Sequence, residues 1–316
     1  MTDGFHTLPD GHRLYWRLDD FTDPWKSAPT VLLIHGFAET HEAWRAWVPH
    51  LVREYRVLRI DRRGFGKSDP MPKDFAWSLD RMVDDTASFI EAQAPAGAHV
   101  IGCKIATPLS IRLAVKRPDL VKSLVLCGGP ATAPNGEPWA RHIEEHGARS
   151  WAAMTMDARM GPEMPAEAKT WWTDFMGASH TSTMIGFLRN LSKIDVSADM
   201  EAIRCPTLVV ATDSAYRPLS EVAPWQSRIP PPRHDSRFHH RRGGARSLRR
   251  DGAFLSADPD FPTRHLAGLF CKMKPAYRLS SSTIAVEQCR TGKWALRQRP
   301  SGVPQSRFTH SEYFSP

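Results

Sequence analysis

The 316-residue chain has no apolar run near the roughly 20 residues that a membrane-spanning helix needs. Its opening stretch, MTDGFHTLPDGHRLYW, lacks both the basic start and the apolar centre of a secretion signal, so a cytoplasmic protein with no membrane partner is expected. Cysteine is sparse. Cys103, Cys127, Cys205, Cys271 and Cys289 stand apart, without a C-x-x-C pair for zinc or the density of a secreted disulfide scaffold. Reduced thiols are expected, with no metal and no cofactor. No internal repeat is present, which excludes a solenoid or propeller.

An even spread of charge is also missing. Residues 229–316 hold 16 Lys/Arg against 6 Asp/Glu, which leaves 26 against 28 for residues 1–228. The net charge of +8 therefore belongs to the tail and gives the main body no nucleic-acid grip. What the chain does have is 41% apolar residues and enough length for one large α/β domain with an insertion.

Periodicity supplies the organisation. Residues 4–20 alternate apolar and polar around Pro9-Asp10-Gly11, the pattern of a hairpin. Thr30 to Ile34 is a short continuous apolar run of the kind buried on both faces of a parallel sheet. A helix is expected over Thr40 to Tyr55, with Trp44, Trp47, Val48, Leu51 and Val52 on one face, followed by a strand to Ile60. Ser78–Gln93 and Pro108–Lys116 read as helices, and Ala98–Gly102, Val121–Cys127 and Thr207–Val210 as strands. This alternation predicts an α/β fold with a mostly parallel, doubly wound sheet. The expected organisation is core over 1–130, an inserted helical cap over 131–200, the last recognisable strand and helix of the core over 201–228, and a basic, poorly ordered tail over 229–316.

Four landmarks occur in order: Leu32-Leu33-Ile34-His35-Gly36-Phe37, the loop Asp61-Arg62-Arg63-Gly64-Phe65-Gly66-Lys67-Ser68, the elbow Gly102-Cys103-Lys104-Ile105-Ala106, and Arg117-Pro118-Asp119-Leu120-Val121. On these, residues 10–228 resemble the α/β-hydrolase superfamily, especially its small capped members such as enol-lactonases and ring-cleavage-product hydrolases. The resemblance implies a hydrolase acting on a small carbonyl, ester or lactone compound. It makes the Phe37 and Ile105 backbone N–H groups the oxyanion hole, and His35, Gly36, Trp151, Trp172 and Met176 the substrate pocket. Helical Trp and Met in a cap also have a purely packing use. The Gly64–Ser68 loop reads as a structural turn.

Lys104 stands where the family carries its nucleophile. Serine works there because a histidine takes its proton during attack; an acyl-lysine would be a stable amide, and an ammonium has no lone pair to attack with. Three readings stay open: an amine desolvated enough to form a Schiff base with a keto substrate, in lyase or decarboxylase chemistry; a charge that stabilises an enolate or carboxylate while water attacks; or an inactive site on a binding domain. Cys103, just before it, is expected to point into the fold as an inert thiol.

The usual relay is incomplete. Asp213 is the only candidate acid, and it comes earlier than the family's position, where Ala215 or Tyr216 stands. His234, His239 and His240 follow no strand. Codons for Arg233–Arg237 read one base later can spell Val-Thr-Ile-Pro-Gly, a strand and turn, which suggests a frameshift near residue 230. Loss of a terminal strand and helix would leave a sheet edge exposed. Oligomeric state is left open.

Overall fold

The computed structural model describes residues 1–160, 164–212, 219–230 and 284–288. The N-terminal hairpin forms as expected: β1 (Thr2–Thr7) pairs antiparallel with β2 (Arg13–Asp19), and Gly11 takes φ 83 in the connecting turn. The remaining strands are β3 (Thr30–Ile34), β4 (Arg56–Ile60), β5 (Ala98–Cys103), β6 (Val121–Cys127), β7 (Thr207–Thr212) and β8 (Ile284–Gln288). They make one sheet in the order β1-β2-β4-β3-β5-β6-β7-β8. Its centre, β4 to β7, is parallel, and β8 runs antiparallel to β7.

β3 is buried along its whole length because both faces of the sheet are covered. Leu32 and Ile34 enter the larger core beneath the helices α2 (Leu79–Gln93) and α3 (Ala106–Lys116), whereas Val31 and Leu33 enter a second core with Trp44, Leu51 and Tyr55. Ser78 caps α2 by accepting the Arg81 N–H at 3.1 Å, which sets the start of that helix.

The single helix expected over Thr40 to Tyr55 is instead two short pieces: a 3-10 turn over His41–Trp44 and α1 (Val48–Leu51). Pro49 explains the break, because it has no N–H to continue a ladder and sits in the first turn of the new helix. The expected apolar face survives, with Trp44, Leu51 and Val52 buried in the second core and Trp47 and Val48 packed against it.

After β6 the chain leaves the sheet and builds a helical layer from α4 (Glu137–Met160), α5 (Ala166–Gly177) and α6 (Thr181–Asn190). Gly147, at φ 84, kinks α4. This layer packs into the larger core through Ile143, Trp151, Met176, Met184 and Phe187. A short helix, α7 (Leu219–Gln226), follows β7. Among the described residues no helix is long and apolar enough to cross a membrane.

Candidate active site

β3 and β5 are neighbours, yet the chain runs from β3 to β4 on one side and from β5 to β6 on the other. A crevice opens at the carboxyl ends of the strands where connections diverge in this way, and such points are where α/β sheets bind ligands. Both the Phe37 loop and the elbow lie there.

The elbow is a sharp strand-to-helix turn. β5 ends at Cys103, α3 begins at Ala106, and Lys104 between them holds φ 52, one of two positive values among the described non-glycine residues. A long side chain in this region costs about 1 kcal/mol or more. The turn is fixed by the Lys104 N–H donating to Cys127 O at 2.9 Å and the Thr107 N–H donating to Lys104 O at 3.0 Å. Gly102 is required by space: a Cβ there would stand 2.4 Å from Ser110 Oγ and 2.7 Å from Ala106 O. Gly128 and Gly129, after β6, let the chain pass the elbow. A Cβ on Gly129 would lie 2.2 Å from Lys104 O, and one on Gly128 would lie 3.2 Å from Lys104 Nζ.

The Lys104 side chain is exposed. Cys103 is half-buried, and burial together with the nearby Glu39 carboxylate pushes its thiol well above the usual range. Burial likewise raises Cys127 to about 12. Both are therefore protonated at neutral pH.

The Phe37 and Ile105 N–H groups donate to no acceptor among the described residues, whereas their neighbours are committed. The Gly36 N–H donates to Glu39 Oε2 at 2.8 Å, and the Cys103 thiol approaches the same oxygen at 3.6 Å, so Glu39 braces the β3 loop against the elbow. His35 is wholly buried and uses both ring nitrogens on the backbone: Nε2 accepts from the Arg62 N–H at 3.0 Å, which leaves Nδ1 as the donor to Gly36 O at 2.8 Å. Burial and the adjacent Arg62 pull its pKa down to about 3. A neutral imidazole with no exposed surface offers nothing to a ligand.

The cap residues named from sequence divide. Trp151 and Met176 are buried, and Trp172 is half-buried against the same core. The Trp151 ring meets Phe37 edge-on at 5.2 Å, while Phe37 stacks on Phe187 at 5.4 Å, so an aromatic cluster joins cap to loop. The Asp61–Ser68 loop is held internally. The Asp61 carboxylate accepts from the His41 and Lys67 N–H groups, and the Ser68 hydroxyl donates to Asp61 O at 2.6 Å. Asp213, His234, His239 and His240 lie outside the described residues.

Glu39 and Arg62 were not singled out from sequence. The only signals were an acid three residues after Gly36 and an arginine inside a loop read as structural. Neither spacing is distinctive without the fold.

Comparison with known proteins gives the same frame. A family model described as "alpha/beta hydrolase fold" matches residues 29–147. The "Putative carbamate hydrolase RutD" of Klebsiella pneumoniae (strain 342) is 29% identical over 230 residues, spanning 68% of this chain and 84% of that protein. Epoxide hydrolase B of Mycobacterium tuberculosis is 26% identical over 196 residues, 57% of this chain and 54% of its own length. Among solved structures, the enol-lactonase from Burkholderia xenovorans LB400 superposes with a TM-score of 0.64 at 20% identity, covering 72% of this chain and 88% of that one. The sheet order, the elbow and these matches agree that the chain has the α/β-hydrolase fold.

Proposed function

We propose that this chain is a cytoplasmic enzyme that cleaves a small carbonyl compound, an ester, lactone or carbamate, with Lys104 acting as a fixed positive charge and not as a nucleophile. The observation that carries the reading is the backbone at Lys104. A non-glycine residue is kept at φ 52, its Nζ would lie 3.2 Å from a Cβ on Gly128, and it directly precedes Ile105, whose N–H, like that of Phe37, is uncommitted among the described residues. Two N–H donors and an ammonium suit an enolate, carboxylate or tetrahedral oxyanion, and the attacking group is then water.

A second reading, a binding domain of the same fold, is favoured by one observation. Among the described residues, the carboxylate and the imidazole of the loop beside the elbow are both committed, Glu39 to Gly36 and Cys103, and His35 to the backbone. Hydrolysis of p-nitrophenyl esters by wild type, Lys104→Ser and Lys104→Ala separates the two. A charge role predicts slow wild-type turnover that drops about 100-fold in Lys104→Ala and is not restored by serine. A binding domain gives no turnover in any of the three. Borohydride trapping with keto acids is expected to give no Lys104 adduct.

The matched relatives are covered over 84% and 88% of their own lengths but take in only 68% and 72% of this chain. This supports the proposal that the basic tail arose by a frameshift near residue 230. Resequencing the gene tests it: no alternative frame encoding a strand, a turn and a histidine would end the idea.

A further inference from the structure

Arg62 carries a buried charge with no carboxylate within ion-pairing distance among the described residues. Its Nε donates to His35 O at 3.1 Å, its Nη2 to Gly36 O at 2.7 Å and its Nη1 to Met82 Sδ at 3.9 Å, while the guanidinium lies over the Phe65 and Phe187 rings at 5.0 and 5.8 Å. Glu39 acts on it from further away and is already bonded to the Gly36 N–H. The next residue is the contrast. Arg63 donates to Asp85 at 2.7 and 2.9 Å and pairs with Asp10 at 2.9 Å, so its charge is matched. Burial lowers Arg62 only to about 10, which leaves it cationic at neutral pH.

Arg62 and Trp77 line one small cleft, walled by Leu14, Ile60, Met82 and Leu109, with room for about one water-sized particle. Trp77 is buried and its indole N–H has no acceptor among the described residues. The other polar groups of the cleft are occupied, since the Arg63–Asp85 pair is internally neutral and the Thr86 hydroxyl donates to Met82 O at 2.8 Å. Leaving a buried N–H unpaired costs about 1–3 kcal/mol, and leaving a buried charge unmatched costs more.

We propose that this cleft binds a small monovalent anion of halide size, with the Arg62 guanidinium supplying charge and the Trp77 indole N–H supplying the second contact. A water would satisfy Trp77 but leave the guanidinium with two ring faces and no counter-ion among the described residues. The site would also reach the elbow's partner loop: the Gly36 carbonyl held by Arg62 belongs to the peptide whose N–H is that of Phe37. An anion that fixes the guanidinium would fix that donor too.

The test does not depend on catalysis. Melting of the full chain is compared in sodium chloride, bromide and gluconate at equal ionic strength, and crystals are soaked in bromide for anomalous diffraction. A higher Tm in both halides and a bromine peak between Arg62 and Trp77 are expected. Trp77→Phe keeps the ring and removes the N–H, and should weaken bromide roughly tenfold, as loss of one charge-assisted hydrogen bond would. Equal Tm in the three salts, or bromine peaks only elsewhere on the surface, would overturn the proposal. A halide effect unchanged in Trp77→Phe would overturn the assigned donor.

Discussion

At the scale of the residue, the strain at Lys104 and the crowding at Gly102 make opposite predictions. Lys104→Gly relieves a left-handed backbone and should raise stability by up to about 1 kcal/mol in urea unfolding while removing the charge from the site. Gly102→Ala drives a methyl against Ser110 Oγ and the Ala106 carbonyl and should lower stability by about 2 kcal/mol or more. Histidine sets a pH dependence. His35 in the folded chain refuses a proton until about pH 3, and His99, desolvated by burial, until about pH 4, whereas the unfolded chain takes both up near pH 6.5. Their contribution is therefore complete above about pH 6.5 and is lost as pH falls toward 3 to 4. Tm should decline across that window, with a shallower slope in His99→Gln.

At the scale of the element, the strands were legible because the sheet is covered on both sides. A strand such as Thr30–Ile34 must then be apolar throughout, and that run is visible in the sequence. The elbow is legible for a similar reason, since a glycine at 102 is demanded by Ser110 Oγ and the Ala106 carbonyl a few residues away. Glu39 and Arg62 were not, because their importance comes from carbonyl and N–H groups that only the fold brings within reach. Over Thr40 to Tyr55 side-chain periodicity alone suggests one helix, and Pro49 overrides it: the apolar face is real, and the continuous hydrogen-bond ladder is not. Within the cap, Trp151 is fully buried between Phe37 and Trp139, so Trp151→Ala should cost about 3–5 kcal/mol by chemical denaturation.

At the scale of the molecule, the sheet, the helical layer and the matched family model agree on the α/β-hydrolase fold, and the unusual residue of the sequence, Lys104, sits at the elbow. The sheet edge expected to stand open is covered by β8, which pairs antiparallel along β7 from Leu208 to Thr212. The elbow, the Phe37 loop and the glycines after β6 meet at the carboxyl end of the sheet, and the role proposed for this site is to stabilise developing negative charge with Lys104 at its centre. The most direct measurement is therefore turnover of a panel of small activated esters and lactones by wild type and Lys104→Met, which keeps an unbranched side chain of similar length and removes the ammonium. A loss of about 100-fold in kcat/KM in Lys104→Met is predicted, the scale of losing one oxyanion-stabilising group. Equal turnover by the two proteins, or none by either across the panel, would contradict the role given to Lys104.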